Sequence, residues 1–275
     1  MNVFQVEGHE PSFLPEGRFA LVFSDEFDGS ELDLSKWDFR LSMMQTPWMS
    51  WTDSEKALSL DGKSNAVFRI IEEGGLLKCA QLQTGYNFMD EPVQQSVFGN
   101  DHLQWPVGKL KENKYLHKYG YYECRCRLQK KEGWWSAFWL QSPIIGSSAD
   151  PKLSGCEVDV MESFHPGTVS MHNVFTGGYG LDTRRQRLGT KREGVSTDEF
   201  HRFGVLWEPG RYTFYVDGEE DGSTETDVSA VPTFILISTE VRGYRFADHK
   251  AIPEAYEAMD DDFVVDYVRV FDRID

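Results

Sequence analysis

The chain has 275 residues, 40% hydrophobic and 14% aromatic, and 45 acidic against 28 basic residues give it a net charge of −17 at pH 7. So acidic a protein argues against nucleic acid and anionic membranes as partners, because phosphate-rich partners select basic surfaces. No stretch approaches the ~20 apolar residues of a membrane-spanning helix, and Met1 to Gln5 has neither a basic region nor an apolar core, so no signal peptide is expected in this chain.

Short alternating or apolar runs follow one another at 67–71, 76–82, 120–128, 134–141, 156–163, 169–176, 202–208, 211–217, 233–239 and 263–271. Gly, Pro, Asn or Asp separates most of them, the pattern of an all-β sandwich. The polar region 183–202 is predicted to be loop, and 247–260 to include a helical turn at Pro253-Glu254-Ala255-Tyr256-Glu257. There is no internal repeat, low-complexity tract or domain boundary, so 1–275 reads as one domain, and a monomer is expected. Sandwiches commonly reach this length undivided.

Two neighbouring runs carry the chemistry. In Gly133-Trp134-Trp135-Ser136-Ala137-Phe138-Trp139-Leu140 four aromatic residues fall in one predicted strand. Alternation allows Trp139 and only one of the adjacent pair Trp134 and Trp135 to line a cleft. The run Gly155-Cys156-Glu157-Val158-Asp159-Val160-Met161-Glu162-Ser163-Phe164 interleaves three carboxylates with apolar residues. Glu157 and Asp159 share a face, whereas Glu162 points the wrong way in an unbroken strand. A β-bulge near Val160-Met161 returns it to the acidic face, and bulges are frequent beside active sites. Glu157 and Glu162 are then roughly 13 Å apart at Cα. Two Glu side chains leaning inward can close to about 5–5.5 Å, the gap of a retaining glycosidase.

In a chain this acidic, the acidic-x-acidic-x-x-acidic spacing arises roughly once by chance, so the weight rests on its setting. Flat aromatic rings beside carboxylates suit a sugar, whose rings have apolar C–H faces and polar edges. The competing readings are a solvated acidic strand beside a core strand, and a calcium site built from the same carboxylates. On the following strand His172 and Asn173 fall on opposite faces, so one is a candidate for the cleft and the other for the core. Cys124 and Cys126 share a face and are poorly placed to bond each other. Cys156 should point into the core, and Cys79 is the main candidate if any bridge exists. No CxxC pair or His/Cys cluster suggests zinc.

Several segments resemble glycoside hydrolase family 16, the laminarinase, agarase and carrageenase family. They are 21–37 (Leu-Val-Phe-Ser-Asp-Glu-Phe-Asp-Gly through Lys-Trp), Lys118-Tyr119-Gly120-Tyr121-Tyr122-Glu123 with Arg125, Phe203-Gly204-Val205-Leu206-Trp207, Phe214-Tyr215-Val216-Asp217-Gly218 and Val265-Asp266-Tyr267-Val268-Arg269-Val270. They occur in the family's order, and the acidic motif matches its bulged Glu-x-Asp-x-x-Glu form. The resemblance spans about 20–272. It implies a single-domain β-jelly-roll sandwich of two antiparallel sheets with a concave sugar-binding cleft. It also implies an endo-acting retaining hydrolase of a β-linked glucan or galactan, with Glu157 as nucleophile and Glu162 as acid/base. Asp159 between them is expected to share a proton with Glu157 and help hold Glu162 protonated near neutral pH. A transglycosylase on the same polysaccharides and a non-catalytic lectin-like sandwich are the alternatives. No cofactor is required for catalysis. A structural calcium ion on the Glu26 and Gly75 carbonyls and the Asp266 side chain is implied, as is an extracellular or periplasmic location.

Substrate clues diverge. Where laminarinases carry Asn-x-Ala-x-Gly-Gly, this chain reads Ile237-Ser238-Thr239-Glu240-Val241-Arg242-Gly243-Tyr244, which is closer to the agarase and porphyranase side. Glu240 either accepts hydrogen bonds from sugar hydroxyls or pairs with Arg242 or Arg245. Arg184, Arg185, Arg187, Lys191 and Arg192 put five basic residues into nine positions, either a solvated loop or a site for sulfate or carboxylate groups on a polysaccharide.

Overall fold

In the computed structural model, which describes residues 1–41, 51–87, 90 and 111–275, two antiparallel sheets enclose one main core. The first has seven strands, in the order Arg184–Leu188, His172–Thr176, Glu157–Ser163, Trp134–Gln141, Phe234–Val241, Gln81–Gln83 and Asp38–Phe39. In the second, Glu219–Thr224, Arg211–Val216, His201–Glu208, Gly120–Arg127 and Phe263–Arg273 lie side by side. Beyond Phe263–Arg273 come Ala66–Phe68, Leu58–Leu60 and, separately, Phe19–Asp25. Every named pair is antiparallel, as the sandwich reading requires. No helix among the described residues is long and apolar enough to cross a membrane.

Alternation along the strands builds the core. Trp134, Phe138 and Leu140 of the first sheet point inward, to a core shared with Cys124, Phe203, Val205 and Val268 of the second. Trp135, Ala137 and Trp139 therefore face outward and line a cleft. All four cysteines are free and buried. Cys156 points inward as expected, its Sγ donating to the Asp227 carbonyl at 3.1 Å. The Cys79 thiol donates to the Thr239 carbonyl at 2.8 Å, so no bridge uses it. The Pro253–Glu257 helical turn forms where the sequence placed it.

Two expectations change. The segment 183–202 is not all loop: Arg184–Leu188 pairs in full register with His172–Thr176 and forms the edge of the seven-stranded sheet. Its backbone ladder needs no apolar side chains, and charged residues are what protects an edge strand from pairing with other chains. The packed structure also begins well before residue 20. The hairpin of Asn2–Phe4 and Ser12–Leu14 packs Phe4 and Leu14 onto the outer face of the second sheet, against Tyr121, Leu206 and Phe271. Fully buried Arg269 ties that hairpin down, donating to the Glu10 carbonyl at 2.8 Å and to Ser12 Oγ at 2.9 Å.

Candidate active site

The aromatic and acidic strands pair Phe138 with Met161 and then Trp139 with Asp159, so Val160 is the additional residue of a bulge. Val160 and Met161 both enter the core, and Glu162 comes back to the face that Glu157 and Asp159 share. All three carboxylates line one cavity of about 320 Å³. Trp135, Trp139, Phe164, Phe175, Tyr179, Arg185, Ser238, Glu240 and Arg245 complete its walls.

The surroundings of the two glutamates differ. Glu157 Oε2 accepts hydrogen bonds from the Tyr179 hydroxyl and from Gln141 Nε2, the latter at 3.0 Å. Gln141 is itself fixed by fully buried Arg40, whose Nη1 lies 3.3 Å from its Oε1, and by Asn87 at 2.6 Å. Burial pushes the Glu157 carboxyl above its ordinary range, but Tyr179, Arg245, Arg40 and Gln141 all pull it back toward ionisation. Glu162 receives Trp135 Nε1 at 3.1 Å on one oxygen and Asn173 Nδ2 at 2.6 Å on the other. Burial, and next the charge of Glu157, nonetheless raise its pKa to about 7. Asp159 is driven well above its usual range by burial and then by Glu162 and Glu157. Three crowded carboxylates cannot all ionise cheaply, so burial and mutual repulsion favour the protonated forms of Asp159 and Glu162.

That assignment has a cost in stability that can be measured. A carboxyl whose folded pKa is raised favours the native state below its unfolded pKa and loses that contribution as pH rises through the folded value. Asp159→Asn mimics the protonated acid at every pH. It is expected to raise the melting temperature at pH 8 by a few degrees, with the gain vanishing below about pH 4, while lowering activity. A melting temperature at pH 8 that is unchanged or lower would show that Asp159 is not held protonated.

The other sequence-predicted residues divide by face. Trp135 and Trp139 stand in the cleft, Trp139 Nε1 donating to Ser238 Oγ at 3.0 Å. Trp134 does not: it is fully buried in the core, because the neighbour of an outward residue must point inward. Asn173 reaches the cleft through its bond to Glu162. His172 does not, since it stacks on Phe214 at 4.4 Å and its Nδ1 lies 2.7 Å from the Val160 carbonyl, inside the sandwich. Glu240 lines the cleft and also makes the ion pair, accepting from Arg245 Nε at 2.7 Å and Nη2 at 2.5 Å. Arg245 in turn lies over Trp135, 4.5 Å from its ring centre.

The one side-chain ligand of the implied cation site is already paired. The Asp266 carboxylate is engaged by Arg125 Nη1 at 2.5 Å, so a guanidinium group already supplies positive charge there. Gly75 sits at the turn of the Ile71–Glu73 and Leu76–Lys78 hairpin, which Leu77 anchors to Tyr244 beyond the end of the Phe234–Val241 strand. Among the described residues no cluster of His, Cys, Asp or Glu is placed to hold a metal.

Gln141, Tyr179 and Arg40 are site residues that the sequence did not point to, whereas Arg245 is one of the two partners it offered for Glu240. Of the three, only Gln141 left a signal, since it lies two positions beyond Trp139 on the same strand face.

A family model described as glycosyl hydrolases family 16 matches residues 86–236. The glucan endo-1,3-beta-glucosidase A1 of Niallia circulans is 28% identical over 209 residues, covering 72% of this chain and 28% of its own length. The chain thus spans little more than a quarter of that relative. A beta-glucanase of Rhodothermus marinus is 28% identical over 268 residues, covering 91% of this chain and 84% of its own length. The solved laminarinase from Rhodothermus marinus superposes with a TM-score of 0.67 at 22% identity, covering 95% of this chain and all of that one, and shares the jelly-roll fold.

Proposed function

The chain belongs to glycosyl hydrolases family 16, and we propose that it is an endo-acting β-1,3(4)-glucanase that cleaves with retention of configuration. The observation that carries this reading is geometric: one bulged strand brings Glu157 and Glu162 to the same wall of the cleft, Tyr179 and Gln141 donating to Glu157, and Trp135 and Asn173 donating to Glu162, whose pKa is raised to about 7. A charged carboxylate and a neutral acid on one cleft face are the two groups that retention requires.

In this reading Glu157 attacks the anomeric carbon while Glu162 gives its proton to the departing glycosidic oxygen, leaving a covalent glycosyl-enzyme. Glu162, now a carboxylate, takes a proton from water. The resulting hydroxide displaces Glu157 from the sugar and both side chains return to their starting states. Asp159, kept neutral, spares the nucleophile a second adjacent charge. Trp135 and Trp139 offer flat surfaces to sugar rings, and the Glu240–Arg245 pair offers acceptors and donors to hydroxyls.

The glucan preference is supported by the relatives, the glucan endo-1,3-beta-glucosidase of Niallia circulans and the beta-glucanase of Rhodothermus marinus. The test is a panel of β-1,3-glucan, mixed-linkage glucan, agarose, porphyran and carrageenan, with released oligosaccharides weighed by mass spectrometry and the first anomer read by NMR. Oligosaccharides from the two glucans, first seen as the β-anomer, are expected. Release from the galactans alone overturns the substrate, and a first-formed α-anomer overturns retention.

A further inference from the structure

The basic run that the sequence singled out separates, in three dimensions, into two groups. Arg184 pairs with Asp227 at 2.9 Å, Lys191 with Glu193 at 2.7 Å and Arg192 with Asp221 at 2.6 Å. Arg185 and Arg187 make no ion pair among the described residues, and both are exposed. A chain with 45 acidic and 28 basic residues does not lack carboxylates to pair them with.

These two arginines lie two residues apart on the edge strand, opposite Phe175 and Asn173 respectively. Phe175 lines the cavity and Asn173 holds Glu162, and directly paired residues project to the same side of a sheet. Both arginines therefore belong to the cleft face. Arg185 is also fixed in orientation: its Nε donates to Asn173 Oδ1 at 2.9 Å, and its guanidinium lies 5.1 Å from the centre of the Phe175 ring. Its terminal nitrogens make no hydrogen bond among the described residues.

We propose that Arg185 and Arg187 form an anion-recognising subsite at the edge of the cleft, which takes a carboxylate or sulfate-ester substituent carried by the polysaccharide; the proposal rests on the glucanase reading of the cleft. Guanidinium forks grip such oxyanions through two parallel hydrogen bonds, and the shared chemistry covers both groups. The edge strand stands two inter-strand spacings, about 10 Å, from the acidic strand. The substituent is therefore carried by a sugar flanking the cleavage point. At the cleavage point itself Glu157 and Glu240 repel an anion, so the cleft accepts a charged polymer in the register that puts its charge against the arginines.

The test compares the wild type with the Arg185→Gln/Arg187→Gln double variant on neutral, carboxymethylated and sulfated β-1,3-glucan. Because Arg185 touches Asn173, the readout is a ratio. The double substitution is expected to lower kcat/KM on a charged polymer about tenfold more than on the neutral one, chiefly through KM. About 0.5 M salt should remove most of that difference, and the corresponding double Lys variant should restore part of it. Loss confined to the carboxymethylated or the sulfated polymer identifies which oxyanion is read. Equal losses on neutral and charged polymers overturn the proposal. Electrophoresis through gels containing the same polymers, each referred to a polymer-free gel, reads binding without turnover. If the wild type cleaves none of them, the glucanase reading falls, and the gels still decide the subsite. Retardation by a charged polymer that the double variant loses supports it, and equal retardation of both proteins rejects it.

Discussion

Replacement of Glu157 by alanine is expected to abolish turnover, by roughly 10⁴-fold or more, with the fold intact. The side chain is only half-buried, and what it loses is the pair of donors Tyr179 and Gln141, which can turn to solvent or to each other. The specific signature is chemical rescue. In the space left by the carboxylate, azide should attack the anomeric carbon of an activated aryl glycoside. The product is a glycosyl azide of inverted configuration, because one displacement now replaces two. Retention of more than a few per cent of wild-type activity in the alanine variant would remove Glu157 from the role. Rescue that yielded an azide of unchanged configuration would point to a surviving nucleophile elsewhere.

Glu162→Gln removes the proton donor, and a loss of about 10²–10⁴-fold on polysaccharide is expected. The pH profile distinguishes this from a loss of binding. Glu162 must be protonated for the first step, and burial together with the Glu157 charge holds its pKa at about 7. Wild-type activity should therefore fall as pH rises through 7, and the residual activity of the Gln variant should lack that limb. An aryl glycoside with a good leaving group needs no proton, so its first step should survive. The covalent intermediate then accumulates, because no carboxylate remains to activate water. A Gln variant whose activity still falls through pH 7 would assign the titration to another group.

The two-sheet sandwich, the aromatic strand and the bulge were all legible before the structure. Each depends on residues contiguous in the chain, and a period of two is a local property. The bulge could be inferred because a third carboxylate on the same face demands one additional residue, which the structure supplies as Val160. The polar strand Arg184–Leu188 was missed for the complementary reason: an edge strand held by backbone hydrogen bonds leaves no apolar pattern to read.

Which side chains share a face is already written in the chain, because alternation follows from backbone geometry. The order of its motifs likewise points to the family whose fold the chain adopts. The sequence could state that one of Trp134 and Trp135, and one of His172 and Asn173, faces the cleft, but not which. That choice waits for the fold, because inward and outward are defined by the position of the second sheet, whose strands lie elsewhere in the chain. The same holds for electrostatics. Whether Glu157 ionises and Glu162 keeps its proton depends on Arg40, Tyr179, Asn173 and Arg245, which meet the carboxylates across space from distant parts of the sequence. Arg125 likewise takes the Asp266 carboxylate at the expected calcium position, because a through-space ion pair has no spacing rule that the chain could display.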